Sequence, residues 1–193
     1  MSFQHINRKG KTYFLHRGVT KTGKSKYYFS KKSDGELCDA VPAGFEVYEN
    51  PHAQVFCRRI QPKVILDIEV ECVEQCLKSL GKGGCTLVDV KGKDIVIYEG
   101  DHREVEAMFA KLIDGFGVSP FTKRPDANSF LQYHEELKFT LVDRDERLFE
   151  VSRWCYRGSV DGWLPLGCPS QCLPDLVDAY ARHLGEESFF ELM

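Results

Sequence analysis

Residues 18–25, GVTKTGKS, satisfy G-x-x-x-x-G-K-[ST], the spacing with which loop amides and a lysine wrap nucleotide phosphates. A phosphate loop of this kind needs a buried strand before it and a helix after it, whose N-terminal amides and dipole complete the cradle. The residues that follow, KYYFSKKSDG, carry consecutive aromatics and then a Ser-Asp-Gly turn, a composition suited to a short strand. The partner acid that would hold magnesium falls in VILDIE, where Asp67 reads as a first-turn acid of a helix. The expectation is therefore a hairpin loop with a basic rim, and a nucleotide-binding enzyme using residues 18–25 stands as an alternative.

A second chemistry is offered by sulfur. Cys72 with Cys76 and Cys168 with Cys172 form two C-x-x-x-C pairs, and four thiolates can close a tetrahedral zinc site. Structural zinc turns more often use C-x-x-C, and Cys72 and Cys76 fall on the inward face expected of a helix, so burial as thiols accounts for them and no metal or other cofactor is expected. The six histidines are scattered over different expected elements, and none is tied by spacing to a cysteine or serine nucleophile. His134-Glu135-Glu136 reads as a polar helix or loop face. No catalytic residue is assigned, and a non-enzymatic role is expected ahead of an enzymatic one.

Charge points elsewhere. Residues 1–33 hold nine Lys or Arg and no Asp or Glu, so residues 34–193 carry 17 basic against 29 acidic side chains, net −12. Such asymmetry attracts polyanions or an acidic protein surface to the basic part. The same segment interleaves Tyr13, Phe14, Tyr27, Tyr28 and Phe29 with its cations, as sheets that hold nucleic acid do. Arg17, Lys21, Lys24, Lys26, Tyr27, Lys31 and Lys32 are the candidate polyanion-binding residues. RWCYRGSVDGW concentrates Arg153, Trp154, Arg157 and Trp163 near a turn, which reads first as a packed corner and as an alternative second recognition surface, since Trp and Arg are enriched at binding hot spots.

These residues must be positioned by two kinds of element. Between 11 and 60, alternating aromatics are punctuated by Gly18, Gly23, Gly35, Pro42, Gly44 and Pro51, the pattern of a small antiparallel β meander without a helix. Beyond Pro62, Ile65, Ile68, Cys72, Cys76 and Leu80 recur at helical spacing, and the glycines of GKGG stop the run. CTLVDVKGKDIVIYEG reads as a hairpin about residues 91–93, and Asp101 as the cap of a helix over 102–114. Residues 117–127 read as a connection, LKFTLVDRDERLFEVSRW as two strands joined at 143–146, and 173–184 as a final helix with Leu176, Val177, Tyr180 and Leu184 inward.

The expected fold is α+β: a basic antiparallel β module over residues 1–60, then an acidic α+β domain over 61–193 with helices packed on antiparallel strands. The N-terminus lacks a secretory apolar core and no window reaches about 18 consecutive apolar residues, so the expected location is the cytoplasm and no membrane partner is expected. The expected role is a binding or adaptor protein whose basic module contacts nucleic acid; docking of an acidic protein is the alternative partner.

Overall fold

The computed structural model describes residues 2–101, 131–156 and 161–192, together with Val105, Ala107 and Lys111. Among them are eleven strands in antiparallel sheets and two α-helices, an α+β fold. No described helix is long and apolar enough to cross a membrane. The chain divides into two compact units, Met1–Pro62 and Lys63–Met193.

The first unit is all β. Strands β1 (Gln4–Ile6), β2 (Thr12–Val19) and β3 (Ser25–Ser30) form one sheet in that order, and β4 (Phe45–Glu49) pairs with β5 (Val55–Arg59) in a second. Its buried hydrophobics are few, Leu15, Ala53 and Val55, so polar groups carry part of the organisation. Asn7 is 4% exposed. Its Oδ1 accepts from the amides of Lys9 (3.1 Å) and Lys11 (2.8 Å), closing the β1–β2 turn, while its Nδ2 donates to the Ala53 carbonyl at 2.7 Å. One side chain thus ties the first turn to the β4–β5 loop, where Ala53 is held at φ 61°. Asn50 shapes that loop by accepting from the His52 and Gln54 amides.

The second unit is built on a sheet ordered β10-β9-β8-β7-β6, from β6 (Thr86–Lys91), β7 (Asp94–Gly100), β8 (Tyr133–Asp143), β9 (Leu148–Cys155) and β10 (Gly162–Pro165), with β11 (Gln171–Cys172) also on β9. The hairpins at 91–94 and 143–148 follow the expected turns, with Gly92 at φ 65° in the first. Helices α1 (Asp67–Ser79) and α2 (Leu173–Ala181) cover one sheet face, burying Ile95, Ile97, Leu137, Phe139, Leu141, Phe149 and Val151 beneath them. The opposite face carries a smaller cluster of Val96, Tyr98, Leu131 and Tyr133 with Val105. The expected helix over 102–114, its cap at Asp101 and the connection over 117–127 lie outside the described residues apart from single positions.

Helix α1 is rotated from the expected orientation. Ile68 is 70% exposed, and the buried stripe is Glu69, Val73 and Leu77, with Cys76 and Leu80 at its margin. The reason is Glu69, whose Oε2 accepts from the Leu66 amide at 2.7 Å and whose carboxylate takes a two-pronged contact from Arg147, at 2.9 and 2.5 Å. An acid that is capped and paired in this way can lie inward. His134-Glu135-Glu136, expected as a helix or loop face, opens strand β8 instead.

Candidate functional site

Residues 18–25 span a β-hairpin. Gly18 and Val19 end β2, Ser25 begins β3, and the register pairs Val19 with Ser25 and Gly18 with Lys26. The Thr20 amide donates to the Lys24 carbonyl, the Gly23 amide to the Thr20 carbonyl, and the Lys24 amide to Thr20 Oγ1. Gly23 takes φ 79°, which turns the chain. The Thr20, Gly23 and Lys24 amides are thus engaged within the turn, and the residues after Lys24-Ser25 form a strand; the helix N-terminus that a phosphate cradle uses is absent at this loop.

Pairing places His16 opposite Tyr28 and Gly18 opposite Lys26, so these four share one face of the sheet, while Leu15, Arg17, Tyr27 and Phe29 share the other. The second face supplies the unit's interior: Tyr27 meets Phe45 edge-on at 5.2 Å and Phe29 lies 6.2 Å from Phe3. On the first face, the Tyr28 ring lies on the His16 imidazole, 5.2 Å between centroids and 12° between planes, yet Tyr28 is 40% exposed. His16 is itself buried and held by its Nε2–H, which donates to the Lys32 carbonyl at 2.9 Å. Lys26 Nζ lies 5.6 Å from the Tyr28 centroid. A Cβ on Gly18 would sit 3.4 Å from Tyr28 Cε1, an ordinary van der Waals contact, so the ring lies against the backbone at the first glycine of GVTKTGKS.

The seven candidate residues are therefore not all on one surface. Lys21 and Lys24 are exposed on the turn, and Lys26 flanks Tyr28. Arg17 faces the other way and pairs with Glu36 at 3.8 Å, and Tyr27 is packed on Phe45. Lys31 reaches over the Tyr13 ring at 5.8 Å, and Lys32 is exposed just beyond the strand. Lys21, Lys24, Lys26, Lys31 and Lys32 make no ion pair with any described acid. The first unit holds eleven basic and five acidic side chains, net +6, leaving 15 basic against 24 acidic in the second.

The second candidate surface divides as well. Arg153 is 6% exposed and donates to the Leu192 carbonyl at 3.0 Å and to the Phe190 carbonyl at 3.4 Å, anchoring the C-terminal segment. Trp154 and Trp163 meet edge to face at 5.2 Å, with Lys138 Nζ 4.5 Å above Trp163. Arg157 lies outside the described residues. All eight cysteines are free. Burial pushes the Cys72 and Cys76 thiols up, and Cys172 is close enough to Cys72 to add to its shift. Cys168 shares a hydrogen bond with Tyr180, and Cys172 donates to Asp175 at 2.8 Å. Among the described residues, no three His, Cys, Asp or Glu side chains form a group that could hold a metal ion.

One cavity of about 530 Å³ opens at the end of β7 and β8, lined by Glu99, Glu136, Glu186, His134, Tyr156 and Phe189 among others. The β7–β8 register shifts at Ile97/Tyr98, leaving Glu136 as the extra residue between Glu135 and Leu137. Burial, and then the Glu99 carboxylate, push Glu136 up to about 7. Burial, and then Glu136 and Glu135, push Tyr156 up to about 12. On the neighbouring position burial also opposes the Glu135 charge, but hydrogen bonds from Lys91 and Tyr98 outweigh it and hold that carboxyl below its usual range.

A carboxyl raised from 4.5 to about 7 on folding binds its proton more tightly in the native chain, so ionising it opposes folding. The penalty is absent below about pH 4 and complete above about pH 7.5. Glu136→Gln is expected to leave the second unit's Tm unchanged at pH 4 and to raise it by a few degrees at pH 8. Thermal melts of both proteins across that range check it; an equal shift at both ends would rule the ionisation out as its cause.

No family model, curated protein or solved structure matches the chain.

The residue that sequence reasoning missed on the basic hairpin is His16, which supports Tyr28. A signal for it was present: the turn at Gly23, with strand alternation on both sides, pairs residues whose numbers sum to 44, and His16 with Tyr28 is such a pair.

Proposed function

We propose that the protein is a non-enzymatic binding or adaptor protein that contacts nucleic acid through the basic β2–β3 hairpin of its first unit. The observation that carries this reading is a cluster of exposed lysines, Lys21, Lys24 and Lys26, unpaired with described acids and set beside the exposed Tyr28 ring. Cations that are not already neutralised release counterions when they meet phosphates, and an aromatic ring among them adds a surface for bases.

The test is a salt titration of binding to fluorescent oligonucleotides by the full chain. Affinity is expected to fall steeply with salt, because each neutralised phosphate contributes close to one unit of the log–log slope. The triple charge reversal Lys21→Glu, Lys24→Glu, Lys26→Glu is expected to lower affinity about 100-fold or more near 50 mM salt, with the Tm of the first unit retained. Salt-insensitive binding, or none at low salt, would remove the proposal. Equal binding of polyglutamate would favour an acidic protein partner.

A further inference from the structure

Resting on the nucleic-acid reading above, we infer that the hairpin takes single-stranded rather than duplex nucleic acid, with Tyr28 as a base-stacking platform supported from beneath by His16. The unit's own interior does not account for this ring. Tyr27 and Phe29, on the opposite face, pack on Phe45 and Phe3, whereas Tyr28 points away from them and stays 40% exposed. Its orientation is set by His16, which lies beneath it at 12° between planes and is itself fixed by the Lys32 carbonyl through Nε2–H.

Duplex nucleic acid keeps its base faces inside the stack and offers a protein phosphates and groove edges. Only an unstacked base presents a face to an aromatic ring. A duplex would therefore use the lysines and leave Tyr28 idle; a single strand uses both. Lys26 sits two residues from Tyr28 on the same face, about 6.7 Å along the strand, with its ammonium over the Tyr28 ring at 5.6 Å; an incoming base displaces this flexible, exposed side chain, which then reaches a phosphate flanking the stacked base. Lys24 and Lys21 continue the cationic track onto the turn, and the first 33 residues hold no acid to repel the backbone. By the pairing register the same face also carries Ile6, which is 66% exposed.

The experiment uses the full chain, a labelled oligothymidylate of about 15 nucleotides and a duplex of about 15 base pairs, a length suited to a single small binding module. The single strand is expected to bind at least about 10-fold more tightly than the duplex. Tyr28→Ala is expected to weaken single-strand binding about 10- to 100-fold while leaving duplex binding and the salt slope unchanged. Tyr28→Phe, which keeps the ring on His16, is expected to retain affinity, so a folding defect in the alanine variant is recognised by its lower Tm and by its loss of duplex binding. Tyr28→Trp supplies a direct readout: its added fluorescence, taken against the parent's Trp154 and Trp163, is expected to be quenched by the oligothymidylate and not by the duplex.

Equal affinities for the two forms, an alanine variant that binds the single strand like the parent, or unquenched Tyr28→Trp fluorescence in the bound state would each overturn the inference. In those cases steep salt dependence would leave the nucleic-acid reading standing. Absence of binding to either form at low salt would overturn both.

Discussion

Arg147→Ala is expected to destabilise the second unit by about 3 kcal/mol, because it strands a buried carboxylate. Glu69 is 9% exposed, and its two oxygens meet the Arg147 guanidinium at 2.9 and 2.5 Å. Without Arg147 the carboxylate keeps only the Leu66 amide, which also serves as the first-turn bond of α1. The arginine lies in the β8–β9 turn at φ 52° and its guanidinium is 5.9 Å from the Phe149 ring, so the contact joins the start of α1 to the turn. Thermal denaturation is expected to register a loss on the order of 10 °C in the unit's Tm. Glu69→Gln combined with Arg147→Met removes both charges and is expected to recover much of the loss. A single variant that melts with the parent would show that the pair contributes little.

Asn7→Ala is expected to be the more damaging change for the first unit, at about 2–3 kcal/mol for the polar groups it leaves without partners. The Lys9 and Lys11 amides lose their acceptor and the Ala53 carbonyl loses its donor. Arg8 also holds the β1–β2 turn to the β4–β5 loop, its amide donating to Glu49 at 3.1 Å and its guanidinium to the Asn50 carbonyl, but those contacts are exposed, whereas Asn7 is buried in a unit whose buried hydrophobics are Leu15, Ala53 and Val55. Its Tm is expected to fall by on the order of 10 °C or more, with the second unit unaffected. Hydrogen exchange at the Lys9 and Lys11 amides checks this directly, since both are expected to lose protection first. Nucleic-acid binding is expected to fall along the same melting curve, whereas the triple lysine reversal lowers binding with the curve in place.

Local pattern carried much of the architecture. Aromatic alternation with glycine and proline punctuation marked β2 to β5, two apolar runs about Gly92 marked β6 and β7, and Leu176, Val177 and Leu184 marked the inward side of the last helix. These signals are readable because they depend on neighbours within a turn or two of one another. The candidate binding residues were readable as types and less so as a surface. Lysines and aromatics announce themselves, but strand pairing turns Lys26 and Tyr28 to one face and Arg17 and Tyr27 to the other.

Helix α1 shows where local pattern stops. Its sequence offers two stripes at helical spacing, one of Ile68, Cys72 and Cys76 and one of Glu69, Val73 and Leu77, and hydropathy alone favours the stripe without an acid. The chain buries the other, because Arg147, 78 residues away, neutralises Glu69. Asn7 meeting Ala53 across 46 residues is a decision of the same kind. GVTKTGKS belongs on both sides of the division. Its turn residues and the strand after it follow from composition, while the placing of Gly18 against Tyr28, and of His16 beneath that ring, arises only when β2 and β3 pair. Residue types set which contacts are chemically available; pairing and burial, by removing water from some of them, select those that carry energy.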